Sequence, residues 1–282
     1  MKKRLLSAVV LVILSIACEK NDPAKPTLKV FQSIYNAQAD EGIGILQGYN
    51  KLKMPNAFRI MEIDNNGLVY DHFGAPVYEN GRLTQVFVSK LWNYDQRLTN
   101  AYSYNDVGKV SRVDIYSGGI IDRYDSLDYD ANGHLTAIYH KTITYGADYP
   151  FGIYKKDLLV WDSSGNITRL HTLEIKNRQE SKDTVTTSYT YDDKANFMSK
   201  PSAIFLLNYE RGITYLSANN MLTQVTVYPT GDSTTTTTNV YTYDNENDPV
   251  TAKAHKKKIR AGVTLFEKVT DFKISYERIP KE

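Results

Sequence analysis

The sequence is short of cysteine, tryptophan, long apolar runs and net charge. Its 282 residues include one Cys and two Trp. A single Cys excludes an internal disulfide framework and any zinc site built on paired cysteines. The longest apolar run, Leu5 to Ile16, is too short to cross a ~30 Å hydrocarbon layer as a helix. There is no G-x-S-x-G elbow, no P-loop and no H-E-x-x-H pair, so these common local signatures of catalysis are missing. The 34 Lys and Arg nearly balance 32 Asp and Glu, which gives no general drive toward nucleic acid. Apolar residues at 41% and charged residues at 23% exclude wholesale disorder. What is plentiful is tyrosine, 22 of them against nine Phe. Tyrosine suits pleated, half-buried surfaces, so the composition leans to β structure.

The N-terminus is a targeting segment. Lys2, Lys3 and Arg4 precede the apolar run, which closes on Ser15-Ile16-Ala17-Cys18. Small residues before a lone Cys resemble a bacterial lipobox, with Ser15 where Leu is usual. The resemblance implies cleavage after Ala17 and lipid on Cys18. Removing residues 1–17 leaves 31 basic against 32 acidic residues, a net charge of −1. The polar stretch Glu19-Lys20-Asn21-Asp22-Pro23-Ala24-Lys25-Pro26 reads as an extended tether. It is similar to the Lys-and-acid export signals that follow the lipid Cys of Bacteroidota surface lipoproteins. The implied location is the outer membrane, lipid-anchored and on the cell surface, with its periplasmic face as the alternative.

Beyond the tether a motif recurs: aromatic, Asp or Asn, two polar residues, Gly or Asn, one polar residue, then apolar. Its clearest copies begin at Tyr104, Tyr129 and Trp161, and weaker ones at Ile63, Tyr191, Leu216 and Tyr243. Asp or Asn after the aromatic starts a turn, and Gly near the end supplies positive φ. The flanks alternate with period two, as in Tyr189/Tyr191, Val225/Val227 and Tyr241/Tyr243. Opposite turns are expected at Ser117-Gly118-Gly119, Gly146 to Gly152, Asn177 to Asp183 and Gly231-Asp232. The expected fold is all-β, a long up-and-down antiparallel meander curling into an open or closed barrel-like sheet. Residues 1–17 are the signal peptide, 18–28 the lipidated tether and 29–282 one domain. Residues 27–60 form a small cap or first hairpin. Val30, Phe31, Ile34 and Ala37 recur at helical spacing, whereas Ile43, Ile45 and Leu46 suit a strand.

The motif copies at Tyr104, Tyr129, Trp161 and Tyr191, with Leu216-Ser217-Ala218-Asn219-Asn220, resemble the YD-repeat of the RHS family. They look more closely like short tyrosine-rich Bacteroidota lipoproteins described as having a porin-like fold. The resemblance spans roughly residues 60–276 and implies a barrel-like sheet, but no activity, since that family has none assigned. The toxin-encasing role of RHS shells does not carry over to a chain this short.

His134 and His140, six apart, share a face on a straight strand, yet Thr136 and Ile138 between them are no ligands and no third ligand is evident. Asp244-Asn245-Glu246-Asn247-Asp248 resembles the start of a calcium loop, but lacks its Gly and its closing Glu. No metal or other cofactor is expected. Lys253, Lys256, Lys257, Lys258 and Arg260 form the one basic cluster, a solvated face or a contact for acidic glycans or lipid phosphates. Asp-Ser/Thr followed by an aliphatic or small residue marks Ser126, Thr184 and Ser233 as sites for O-glycans in a Bacteroidota host, the last two at exposed turns. Three function classes remain. The leading one is a non-catalytic structural or interaction module, partnered by the membrane through its anchor and by an envelope glycan or protein. A glycan or peptide binder using exposed tyrosines is the second, marked by a concave aromatic patch. A carboxylate-dependent glycoside hydrolase is the third, marked by a buried carboxylate pair in a deep pocket.

Overall fold

The protein was analysed as a computed structural model, which describes residues 26–36, 41–63, 69–90, 95–143, 151–199, 204–207, 209, 212–229 and 231–281. Strands follow one another along the chain: β1 (Thr27–Asn36), β2 (Glu41–Tyr49), β3 (Pro55–Ile63), β4 (Val69–Glu79), β5 (Arg82–Ser89), β6 (Arg97–Tyr104), β7 (Val110–Ser117) and β8 (Ile120–Tyr129). The second half comprises β9 (Leu135–Ile143), β10 (Phe151–Trp161), β11 (Ile167–Lys176), β12 (Gln179–Ala195), β13 (Asn219–Val227), β14 (Ser233–Tyr243), β15 (Pro249–Arg260) and β16 (Val263–Pro280). Each strand pairs antiparallel with its chain neighbours, and β1 pairs with both β2 and β16, so the sheet is a closed 16-stranded barrel. Closure leaves no unpaired strand edge.

The repeat is a hairpin device at one end of the barrel. In three of its turns the Asp side chain accepts two backbone N–H groups: Asp130 from Asn132 and His134, Asp162 from Ser164 and Asn166, Asp244 from Glu246 and Asp248. Asn50 does the same for Leu52 and Met54. Asn50 thus belongs to a copy starting at Tyr49, disguised because Lys53 holds the positive-φ position (φ 60°) that Gly133 holds in its own turn (φ 82°). Asn247 likewise replaces the missing Gly of the Tyr243 copy (φ 62°). A bulge follows each clear copy. Thr136 is extruded between the pairs Asp128↔Ala137 and Tyr129↔Leu135, and its hydroxyl donates to the Asp128 carbonyl. Ser111 and Thr168 repeat this on Ser103 and Val160. Bulges raise the local twist that a closed barrel needs.

Two expectations are corrected. The helical spacing at Val30, Phe31 and Ile34 belongs to strand β1, where a register shift between Phe31 and Ser33 buries the neighbours Val30 and Phe31 together and so mimics a helix face. Ala37, the turn after Ile63 and most of the Gly146–Gly152 turn lie outside the described residues. The copies at Tyr191 and Leu216 are not two hairpins. They are the two sides of one, since β12 pairs with β13 through Tyr191↔Met221 and Ala195↔Asn219. Between them lie a short helix α1 (Ile204–Leu207) and a 3-10 turn (Ile213–Leu216). Ile204, Phe205, Leu207 and Tyr209 of this insertion are buried in one cluster with Phe31, Phe58, Leu83, Val113 and Ile167 of the wall. The Tyr102 hydroxyl donates to the Leu206 carbonyl at 2.8 Å. The insertion is therefore a plug, and the core of the barrel is its lumen.

The tyrosines of the repeat end form a closed ring. Tyr78 donates to the Pro55 carbonyl, Tyr104 to Leu83, Tyr129 to Val110, Trp161 to Leu135, Tyr191 to Ile167, Tyr241 to Met221 and Tyr276 to Pro249, at 2.7–3.2 Å. Tyr49 closes the circle on the Phe31 carbonyl. Each acceptor pairs with the ring aromatic of the preceding hairpin, except Pro249, which pairs with Tyr243, two residues on from Tyr241. Burial pushes the Tyr129 and Tyr191 phenols up to about 12. Replacing Tyr129 by Phe is expected to cost about 1–2 kcal/mol, because the Val110 carbonyl loses its partner. Urea denaturation checks this, and an unchanged midpoint would mean that the ring bond adds nothing.

Candidate functional site in the lumen

Alternation turns a cluster of charged side chains into the lumen. Asp125 on β8, His140 on β9 and Asp157 on β10 face inward side by side, through the cross-strand pairs Asp125↔His140 and Lys155↔His140. His140 Nδ1 lies 2.8 Å from Asp125 Oδ1, and Nε2 lies 2.9 Å from Asp157 Oδ2. Both carboxylates are acceptors, so both ring nitrogens must donate and the ring is an imidazolium. Burial opposes that charge, but the hydrogen bonds to Asp125 and Asp157 outweigh it and hold the His140 pKa above its ordinary value. Burial raises Asp157, yet His140, Lys155 and the Thr172 hydroxyl at 2.6 Å together hold it below the usual carboxylate range. Lys155 Nζ stands 3.3 Å from Asp157. With Arg123, Ile138, Leu170, Tyr209 and Ile213 these residues line a cavity of about 310 Å³, to which the plug contributes Tyr209 and Ile213. The Tyr209 hydroxyl is buried beside Asp125, which together with burial pushes its pKa well up.

Sequence reasoning missed this cluster because its members sit on separate strands and share no local spacing. His134 and His140 do not converge. The bulge at Thr136 turns His134 out to stack on Trp161 (4.6 Å between ring centroids, 14° between planes) while His140 points inward. The calcium-like loop holds an ammonium. Lys29 Nζ lies 2.9 Å from Asp248 and 3.2 Å from Glu246 and also binds Asp244, joining β1 to the β14–β15 turn.

The basic cluster is divided by the wall. Lys253 pairs with Asp271, and Lys257 shares Glu267 with His255 on one face. Lys256 and Lys258 lie on the other, which carries buried Ala252, and Lys258 stands over the Tyr228 ring. Arg260 reaches Asp232 at 3.5 Å. Of the three hydroxyl sites, Ser126 accepts from Lys141 at 3.1 Å, and Asp125 beside it is committed to His140. Thr184 is half-buried within β12 rather than at a turn, because positive φ at Asn177 and Arg178 closes that hairpin in two residues. Ser233 starts β14 and is buried, against the exposure expected of it. Cys18 and Ala17 lie outside the described residues. Among the described residues, the aromatics of the repeat end spend their hydrogen-bonding groups on the inner ring. A buried carboxylate pair is present in Asp125 and Asp157, with the His140 ring between them.

The fold defines the class: a plugged, closed, up-and-down antiparallel barrel. The chain is similar to a porin-like protein from Bacteroides uniformis, with 14% identity, a TM-score of 0.53, and coverage of 90% of this chain and 98% of that one. A porin-like protein from Bacteroides vulgatus matches at 15% identity and a TM-score of 0.46, over 88% and 99% of the two chains. The TcdB2–TccC3–Cdc42 structure matches at 12% identity and a TM-score of 0.30, covering 14% of that chain, too slight to carry the RHS link. No protein-family model and no curated protein matches the chain. The first likeness shows the barrel fold.

Proposed function

We propose that the chain is an envelope lipoprotein, anchored through Cys18, whose barrel is a non-catalytic structural or interaction module. The sidedness of the barrel carries this reading. Membrane-spanning barrels turn an apolar band outward and polar groups inward. Here Phe31, Phe58, Leu83, Val113 and Ile167 fill the inside, while Arg112–Asp114, Lys253–Asp271 and Lys257–Glu267 pairs lie on the wall. A lipid anchor supplies the membrane contact that such a wall does not. Pro26 enters at the repeat end, where its carbonyl accepts from the Lys281 N–H at 3.1 Å. Eight residue steps from Cys18 reach at most about 29 Å, so the repeat end faces the membrane and the opposite turns face away. The partner is an envelope glycan or protein met by that outer end. An O-glycan on Thr184, on the outer half of β12, fits the same orientation, and an intact mass of native protein equal to the acylated chain alone would remove it.

Cys18→Ser is expected to move the protein from the detergent phase to the aqueous phase in a detergent partition. Wild type and variant partitioning alike would overturn the anchoring, and retention of both in membranes would favour a spanning barrel.

A further inference from the structure

The turns of the repeat end are not alike. Those joining β2 to β3, β4 to β5 and β6 to β7, with their flanks, carry Lys51, Lys53, Arg82 and Lys109 against Glu79 and Asp106, a net charge of +2. The turns from β8 onward are acidic, with Asp130, Asp162, Asp244, Glu246 and Asp248. None of Lys51, Arg82 and Lys109 has a carboxylate partner among the described residues. Arg82 and Lys109 stand instead over the Tyr104 and Tyr129 rings, 5.2 and 6.0 Å from the centroids, which holds both cations at the mouth of the barrel. Two apolar side chains project from the same sector. Leu52 is 56% exposed, and Val107, at 81%, is the most exposed large apolar side chain among the described residues. The parts are contiguous: Leu52 lies beside Gly81, and the Arg82 guanidinium beside Gly108. A groove of about 320 Å³ between them is lined by Met54, Leu206 and Leu216, with Arg82 and Lys109. The sector also adjoins the tether. Lys53 Nζ donates to the Lys281 carbonyl at 2.7 Å, and the Lys281 N–H donates to Pro26.

We propose that this sector is a docking face for a phospholipid bilayer with anionic headgroups. Leu52 and Val107 enter the interfacial layer, and Lys51, Arg82 and Lys109 meet headgroup phosphates. Apolar side chains flanked by cations are what binds a protein surface to the interface of an anionic membrane. The acidic turns from β8 onward are repelled by the same headgroups. The barrel therefore leans on its β2–β7 side instead of standing upright on the tether. A weak face suffices, because a short tether keeps it at a local concentration in the millimolar range. The docking rests on the orientation proposed above and adds to it the residues that touch the membrane.

The test places one fluorophore on the full chain. Cys18→Ser removes the native thiol and the anchor, and Val107→Cys or Val263→Cys supplies the labelling site, Val263 being an exposed residue of the β15–β16 turn at the far end. Each protein is titrated with vesicles of brominated phosphatidylcholine, with and without phosphatidylglycerol. Quenching is expected at 107, stronger with phosphatidylglycerol, and much weaker at 263. Arg82→Gln with Lys109→Gln should raise the lipid concentration for half-quenching at 107 about tenfold or more, since each basic residue near an anionic surface contributes about 1 kcal/mol. Both side chains are exposed, so the double variant keeps the fold. The proposal is overturned if any of the three comparisons fails: 107 against 263, anionic against neutral lipid, or parent against double variant. Detergent partition of wild type against Cys18→Ser reads the anchor alone, so anchor and docking face can fail separately.

Discussion

Replacing His140 by alanine is expected to destabilise the barrel by about 3–5 kcal/mol, the range for removing one member of a buried ion pair. The size follows from what is left behind. Asp125 and Asp157 have side chains only 2% and 13% exposed, and both then lie in the lumen without the imidazolium between them. Chemical denaturation near neutral pH checks this, and a loss below about 1 kcal/mol would show that water or Lys155 replaces the ring. Asp125→Asn in the His140→Ala background is expected to recover part of the loss, because it removes an uncompensated charge. The wild-type protein should also show the signature of the cluster in its pH profile. A histidine raised in the folded state contributes stability that is fully present below its ordinary 6.5 and is lost as pH climbs through the higher folded value. Asp157 works in the opposite sense. Held low, its contribution is present above the ordinary 3.8 and is lost as pH falls through the lower folded value. The cluster therefore supports the fold most between about pH 4 and 6.5, and His140→Ala should flatten the alkaline side of that profile.

What the sequence made legible was local. The alternation of Val225/Val227 and Tyr241/Tyr243, and the Asp-x-x-Gly turns at Asp130 and Asp162, are written in consecutive residues, and they suffice for a meander. Closure is not local. It rests on β1 pairing with β16 from Thr27↔Pro280 to Tyr35↔Lys273, which no motif announces. The ring was visible as a surplus of tyrosine but not as a ring, because each bond spans from one hairpin to the next. Tyr49 escaped notice because Lys53 holds a conformation usually given to Gly, and Tyr78 because its turn, Asn80-Gly81, is only two residues long. Leu216-Ser217-Ala218-Asn219-Asn220 misled for the converse reason. The plug splits one hairpin and leaves turn-forming residues on both sides. Ser217 and Asn220 there bond to Tyr191 and Asp192 across the gap, a junction and not a turn. The luminal cluster was the least legible part. Asp125, His140 and Asp157 look like three ordinary polar residues until strand register brings them together.

Phe205→Ala is the second large effect, expected at about 3–5 kcal/mol from lost burial plus the cavity left behind. The four-residue helix α1 that carries Phe205 is far too short to be stable by itself, so its stability comes from packing in the lumen. Phe205 is 6% exposed, meets Tyr209 edge-on at 5.6 Å and borders a space lined by Leu83, Tyr104, Tyr129 and Leu135 of the wall. The wall on this side is rigid, since Tyr104 and Tyr129 are fixed by ring bonds to Leu83 and Val110 and cannot collapse inward to fill the gap. That puts the cost toward the upper part of the range. Phe205→Leu, which keeps most of the volume, should lose less than about 2 kcal/mol. Urea denaturation of the pair separates the outcomes. If both lose equally, ring geometry against Tyr209 matters more than volume. If Phe205→Ala loses almost nothing, the plug is not part of the cooperative unit and the barrel holds its shape on the ring and the wall alone.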